Sequence, residues 1–321
     1  MKIAIIGSPL QDGNKTRGVG FYTKNLIENL SGLVKTEDAD LIHYPFFDPF
    51  KLTLKIFNKP TIVTVHDLIP IQFKKHFPVG IKGTIIWWIQ LYNLHRATAI
   101  ITVSEYSKKI IHQITKIPLS KIYVTLLAAN DICKPIKEKI LLKAIKQKYN
   151  LPDKFVLYIG DINWNKNVPA LVKMCEDLKY PLVIVGSAAI KTDTPVHPWT
   201  KDLIEIQKNN YPQKIGFVPD DELVVIFNLA TFYCHPSHAE GFGLAPLQAL
   251  TCGCPVICKQ VTSLPEVVGS AALDFTKENF EKLWNNKTVR DKYIKLGLSQ
   301  AKKFNWQLTA QKTMEIYDKY I

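Results

Sequence analysis

Short β-branched runs alternate with longer segments of helical period along the whole chain, which predicts βα units on parallel sheets. In the first half the strand-like runs are 2–6, 40–44, 61–65, 99–103 and 122–126. Helical patterns fill 18–31, 80–95 and 105–115, and Ser104 stands where the last of these needs an N-cap. The second half restarts the pattern, with strands at 155–159, 181–185, 214–217, 231–235 and 255–258 and helices at 167–178, 199–210, 220–229 and 244–252. A barrel would want eight evenly spaced units, whereas this rhythm breaks at 131–152, a proline-containing, lysine-rich stretch that reads as a crossover with a basic helix. From 276 onward no strand is predicted, and 277–285, 287–303 and 306–320 read as closing helices. The expectation is two doubly wound Rossmann-like domains, 1–134 and 153–304, joined by a crossover at 135–152 and closed by a helix at 305–321.

Length and composition agree with that division. At about 150 residues per domain, 321 residues suggest two. Apolar residues at 47% and charged residues at 21% exclude disorder and fibrous repeats. Charge adds one asymmetry: 41 basic against 28 acidic residues give +13, and only Arg17, Arg96 and Arg290 are arginines. Readers of nucleic acid favour arginine forks. A lysine excess reads instead as solvated surface or attraction to anionic surfaces, so no nucleic-acid partner is expected.

The six cysteines form no C-x-x-C pair and no zinc spacing, and several sit in apolar runs. The N-terminal apolar run is too short for a signal peptide, and no stretch of 18 apolar residues exists. A cytoplasmic location is expected.

The chemistry concentrates in H-P-S-H-A-E-G-F-G-L-A-P-L-Q-A-L-T-C-G-C-P-V-I at 235–257. A buried strand ends at His235, a loop holds Glu240, Gly241 and Gly243, and Pro246 is tolerable only in the first turn of the helix that follows. Glycines let a ligand approach the backbone, and a helix N-terminus offers amides to an anion. Ligands of open α/β sheets lie beyond the carboxyl ends of the strands, so Glu240 and Gln248 are placed at a pocket. A solvated surface loop is the alternative for these features taken alone.

This segment resembles the E-x7-E signature of the retaining family 4 glycosyltransferases, two-domain GT-B enzymes that use nucleotide-sugar donors. Further segments match in order: R-G-V-G-F-Y-T-K-N-L at 17–26, T-V-H-D-L-I-P at 64–70, A-T-A-I-I-T-V-S-E-Y-S-K at 97–108, L-Y-I-G-D-I-N-W-N-K-N at 157–167 and T-S-L-P-E-V-V-G-S-A-A-L at 262–273. The resemblance implies a GT-B fold facing a central cleft, with the last helix returning to the N-terminal domain. It assigns Glu240 to donor-sugar hydroxyls, and Phe242, Gly243 and Leu244 to sugar and diphosphate through backbone amides. Position 248 goes to the ribose, and Lys166 to the diphosphate leaving group within a loop that includes Gly160 and Asn165. Gly18 goes to close approach of a helix N-terminus, and His66 to the transferred sugar. Asp67 and Ser104 are weaker candidates, since a strand-end turn and an N-cap explain them.

Three departures from the family pattern stand out. Gln248 replaces the second glutamate, Asn165 the usual arginine, and Asp161 follows Gly160 where some relatives have arginine. Arg17 is the expected source of the missing charge. The implied activity is retaining, metal-independent transfer of a hexose, mannose favoured, to a glycan or lipid-linked acceptor (hexosyltransferase, EC 2.4.1.-), with no cofactor. GDP-mannose is the favoured donor, with UDP- and dTDP-sugars open. A non-catalytic or donor-altered sugar-nucleotide-binding protein is the alternative that Gln248 and Asn165 suggest. Lys74, Lys75, His76 and Lys82, ahead of the tryptophan-bearing run 85–94, suggest peripheral attachment to an anionic membrane surface at its inner face; a helix buried on its own sheet is the competing reading.

Overall fold

The computed structural model describes residues 2–11, 18–55 and 58–321, so Arg17 lies outside the described residues. The chain forms two compact units: Met1–Ala128 with Phe304–Ile321, and Ala129–Lys303. The segment expected as a crossover therefore belongs to the second unit, as do residues 129–134. Its helix, Lys139–Lys148, packs on helix Asp220–Leu229 and is tied there by a Lys148–Glu222 ion pair of 2.6 Å.

In the first unit, strands β1 (Ile3–Ile5), β2 (Leu41–Tyr44), β3 (Thr61–Thr64), β4 (Ala99–Thr102) and β5 (Ile122–Val124) pair in parallel in that order. Most of their residues are buried, which is why they read as continuous apolar runs and not as alternating ones. The winding reverses at one residue only: Leu33 bridges Ile3 on the outer side of β1, with Val34 N donating to Ile3 O at 2.9 Å. The switch of direction therefore falls between β1 and β2.

Helix Trp306–Tyr317 belongs to this unit. Asn305 caps it by accepting from Leu308 N at 2.7 Å, and Trp306 stands edge-on to Phe21 of helix Gly18–Asn29, with ring centroids 5.6 Å apart. Inside the sheet, His43 is fully buried between hydroxyls: Nδ1 lies 2.5 Å from Tyr317 Oη and Nε2 lies 2.7 Å from Thr64 Oγ1. Hydroxyls can reverse their proton, so a neutral imidazole is satisfied in either tautomer.

Burial holds two histidines of this unit low, His43 at about 3 and His66 at about 4, against an ordinary 6.5. Both must therefore be neutral in the folded state at neutral pH. The unfolded chain takes up protons below pH 6.5 and the folded one does not, so stability is full above that pH and falls until the folded values are reached. Between pH 7.5 and 5 a loss of about 2 kcal/mol per histidine is expected. Urea midpoints at the two pH values check it, and a His43→Asn variant should show the smaller drop.

In the second unit, β6 (Val156–Ile159), β7 (Leu182–Val185), β8 (Gln213–Ile215), β9 (Phe232–His235), β10 (Val256–Cys258) and β11 (Ala272–Leu273) form a parallel sheet ordered β11-β10-β9-β6-β7-β8. The chain winds outward from β6 to β8, then crosses back to β9, so the switch point lies between β6 and β9. All six cysteines are buried and free. Among the described residues, no helix is long and apolar enough to cross a membrane.

Candidate active site

The carboxyl ends of β6 and β9 converge at the switch point of the second sheet, where the sequence reading expects a ligand. Beyond β6 the chain turns at Gly160 (φ +142) and forms a short 3-10 turn over Trp164–Lys166. Gly186, after β7, comes so near that a Cβ on it would lie 2.9 Å from Gly160 O. The turn after β9 is laced to this one: Asn165 Nδ2 donates to Ala239 O at 3.0 Å, His238 N donates to Asn165 O at 2.7 Å, and Asn167 Nδ2 donates to Pro236 O at 3.1 Å. Asn165 is thus buried and spends its amide on the loop.

That bracing places Glu240 and Lys166 together. Lys166 Nζ donates to both carboxylate oxygens of Glu240, at 2.7 and 2.9 Å, and Ser237 Oγ donates to Oε1 at 2.7 Å. His235 Nε2 stands 2.7 Å from the same oxygen, and its Nδ1 lies 2.7 Å from Tyr233 Oη. With a neutral imidazole, Nε2–H donates to the carboxylate and Nδ1 accepts from Tyr233 Oη, which also lies 3.4 Å from Ile159 O. Burial pushes the His235 imidazole down, partly against the pull of Glu240, so it is neutral. Burial alone would raise the Glu240 carboxyl, but Lys166 and His235 more than offset it and hold it below the usual carboxylate range. The site therefore keeps an ionised, almost fully buried carboxylate with fixed donors around it.

The loop that follows is shaped for close approach. Thr262 Oγ1 accepts from Glu240 N at 3.0 Å, and Ser263 Oγ lies 2.9 Å from the carbonyl oxygens of Glu240 and Phe242. Gly243 has φ +112 and a Cβ there would meet Leu264 Cδ2 at 2.7 Å, so no larger residue fits without strain. Helix Leu244–Thr251 starts at once, with no side-chain cap on its first amides, and Pro246 occupies its opening turn. Gln248 lies one turn in and is half-buried.

The remaining candidates belong to the first unit. Gly18 opens its helix, and a Cβ built on it would meet no atom of the described residues within 4 Å. His66 follows β3; its Nε2 lies 3.1 Å from Pro45 O, which makes that nitrogen the donor and leaves Nδ1 as an acceptor. Tyr22 stands edge-on to it, with ring centroids 4.9 Å apart. Asp67 Oδ1 accepts from Ile69 N at 3.0 Å, and Ser104 Oγ accepts from Ser107 N at 3.0 Å, the turn and cap roles that compete with a function.

No D-x-D metal motif is expected from the sequence, yet the chain does contain one D-x-D tripeptide, Asp38–Ala39–Asp40; it precedes β2 at the amino end of the sheet, where Asp40 accepts from Lys2 N at 2.9 Å. No group of three or more potential metal ligands occurs among the described residues. His235, Ser237, Thr262 and Ser263 were not singled out by sequence reasoning. Only their spacing around Glu240 could have pointed to them.

The second unit thus brings a carboxylate, a lysine and a helix N-terminus without a side-chain cap to the switch point of a parallel sheet of Rossmann order, and the first unit is a second parallel α/β unit. Comparison agrees. The model for "Glycosyl transferases group 1" matches residues 143–296, and that for "Glycosyltransferase Family 4" matches 13–125. An O-antigen chain mannosyltransferase B of Escherichia coli is 32% identical over 240 residues, which is 70% of this chain and 61% of that protein. The serotype-specific mannosyltransferase WbdA of Escherichia coli is 29% identical over 286 residues, 84% of this chain and 35% of that one. The chain thus spans less than two thirds of the length of these relatives. Among solved structures, Anabaena Alr3699/HepE in complex with UDP and glucose superposes with a TM-score of 0.75 at 13% identity, covering 99% of both chains. The chain belongs to the group 1/family 4 glycosyltransferases, and its fold is GT-B.

Proposed function

We propose that this chain transfers a mannosyl residue from GDP-mannose to a growing glycan or lipid-linked acceptor, with retention of anomeric configuration and without a metal. The observation that carries the reading is the ionised Glu240 carboxylate, fixed by Lys166, His235 and Ser237 just ahead of the uncapped helix Leu244–Thr251. Mannose is favoured because the relatives matched over most of this chain bear mannosyltransferase names.

In the proposed reaction the bond between the anomeric carbon and the diphosphate oxygen breaks, and the acceptor oxygen bonds to that carbon on the same face. The acceptor proton passes to the departing diphosphate, so no carboxylate base is needed. Lys166 and the amides at Gly243 and Leu244 meet the charge that develops on the leaving group. Glu240 accepts from sugar hydroxyls, and His66 offers Nδ1 as a neutral acceptor. Thermal shift across a panel of GDP-, UDP- and dTDP-sugars tests the donor, because selective binding raises the melting temperature in proportion to RT ln(1 + [L]/Kd). GDP-mannose should give the largest shift and release GDP when acceptor is added; a larger shift with a UDP- or dTDP-sugar would reject the assignment.

Gln248 favours a second reading, a binding protein of altered or absent turnover, because it removes a charge from the family's paired glutamates. Under the proposed reading it is an adapted ribose contact. Gln248→Glu should then leave donor affinity unchanged or tighter, since a carboxylate accepts hydroxyl hydrogen bonds more strongly than an amide. Titration calorimetry decides: weakening by more than about tenfold, some 1.4 kcal/mol, would mean that the amide donates a bond that a carboxylate cannot.

A further inference from the structure

Three loops of the second unit meet beside Glu240 and hold a cation that the proposed reaction does not use. Lys259 follows β10 and leaves the sheet level with the end of β9, its N donating to His235 O at 3.4 Å. Its Nζ lies 3.2 Å from His238 Nδ1, and because an ammonium can only donate, Nδ1 accepts. His238, in the loop after β9, is stacked on Trp164 of the loop after β6, with ring centroids 5.1 Å apart and planes at 21°. The loop that begins at Lys259 is pinned in turn. Thr262 Oγ1 accepts from Glu240 N, and Thr262 takes φ +56, a left-handed backbone that a β-branched residue adopts only when its surroundings impose it. The side chain of Lys259 is therefore held by His238, and its backbone by the loop of Glu240.

Charge balance separates this lysine from the other. Lys166 places two hydrogen bonds on the Glu240 carboxylate, so that pair is neutral as a whole, and His235 beside it is neutral too. Lys259 has no such match. Among the described residues no carboxylate lies within 4 Å of its Nζ, and Asp274, just past β11, attracts it only from farther away. Burial pushes the ammonium below the usual lysine range, and Asp274 offsets part of that. A half-buried ammonium whose partner is an imidazole nitrogen keeps donors for an anion, and an anion there would match its charge. We propose that Lys259, oriented by the Trp164–His238 stack, is a second phosphate-binding cation of this site, donating to a phosphate oxygen beside the Glu240–Lys166 pair. The proposal rests on the reading of these loops as a nucleotide-sugar site. The diphosphate of the donor and a phosphate on the acceptor share the chemistry that Lys259 would recognise.

Titration calorimetry of the full chain with GDP and UDP, and with guanosine and uridine as phosphate-free controls, tests it. Lys259→Met should weaken the better-bound nucleotide by about tenfold or more, as expected for one lost charge-assisted hydrogen bond, and leave its nucleoside unchanged. Lys259→Arg should restore most of the affinity, and added salt should narrow the gap between Lys259→Met and wild type. Inorganic pyrophosphate added to the nucleotide-saturated protein separates the two sources. Pyrophosphate binding there, lost in Lys259→Met while nucleotide affinity holds, would place the phosphate on the acceptor. Nucleotide and pyrophosphate binding both unchanged in Lys259→Met overturn the proposal. Equal weakening of nucleotide and nucleoside also overturns it, since that marks a lysine that only supports the loops. UDP binding that depends on Lys259, with no binding of GDP, would reject the GDP donor and keep the role of Lys259. A wild-type protein that binds neither nucleotide would overturn both.

Discussion

Glu240→Ala is expected to lower glycosyl transfer by a factor on the order of 10²–10³, the usual cost of deleting one fixed polar group aimed at a transition state. Release of nucleoside diphosphate from the preferred donor is the assay. Under the proposed function the loss has two sources, because the carboxylate that would accept from the sugar also holds Lys166 at 2.7 Å. Lys166→Ala should instead weaken donor binding and also the fold. It leaves Glu240 in a buried site with only His235 and Ser237, and breaking a buried ion pair from one side costs about 3–5 kcal/mol. Lys166 is one of the groups that push the His235 imidazole down, while Glu240 pulls it up. Without the lysine, His235 should bind a proton more readily and repair part of the damage. Burial still holds His235 low in the variant, but without Lys166 it titrates higher than in the wild type, so the repair grows as pH falls. The variant should accordingly melt closer to wild type at pH 6 than at pH 8. Two variants with wild-type transfer rates would mean that the chemistry lies elsewhere.

The strands were legible because parallel strands covered on both faces must be apolar throughout, and each expected run overlaps an observed strand. The loops of the candidate site were legible for a different reason: Gly160 and Gly243 sit at positive φ, a conformation that restricts the residue type and so leaves a mark in the sequence. Other features leave none. β11 has two residues and the helices Ile69–Gln72 and Leu264–Val268 have four and five, too short for a period to emerge. The reversal of the first sheet rests on Leu33 alone, and a single bridge has no pattern.

Side-chain partnerships are the least visible. Lys166 and Glu240 were assigned to different parts of the donor, and nothing in a separation of 74 residues says that they touch. The same holds for His43, whose partners Thr64 and Tyr317 come from another strand and from the closing helix. Helix Gly80–Arg96 was visible as an apolar run, but periodicity alone could not divide it into a face with buried Trp87 and Leu94 and one with exposed Ile85 and Trp88.

The second large effect is expected at Trp306, far from the ligand loops in sequence from either side. Its side chain is 1% exposed and packs against Phe21 and Tyr22, so Trp306→Ala should cost about 3–5 kcal/mol, the range for emptying a large aromatic site. The damage should not spread evenly. Helix Trp306–Tyr317 covers helix Gly18–Asn29, and Tyr22 of the latter bonds Thr64 at 3.1 Å and stands against His66. Tyr317, at the other end of the closing helix, anchors buried His43. Loosening this helix therefore frees the strand ends and the histidine of the first unit, while the Glu240–Lys166 pair keeps its own supports. Hydrogen exchange followed by mass spectrometry reads the difference: protection should fall over 18–29, 61–66 and 306–317, and hold over 156–159 and 232–235. Donor binding to the second unit should survive better than transfer. Uniform loss of protection across both units would show instead that they unfold as one, and the closing helix would then support the whole chain and not the first unit alone.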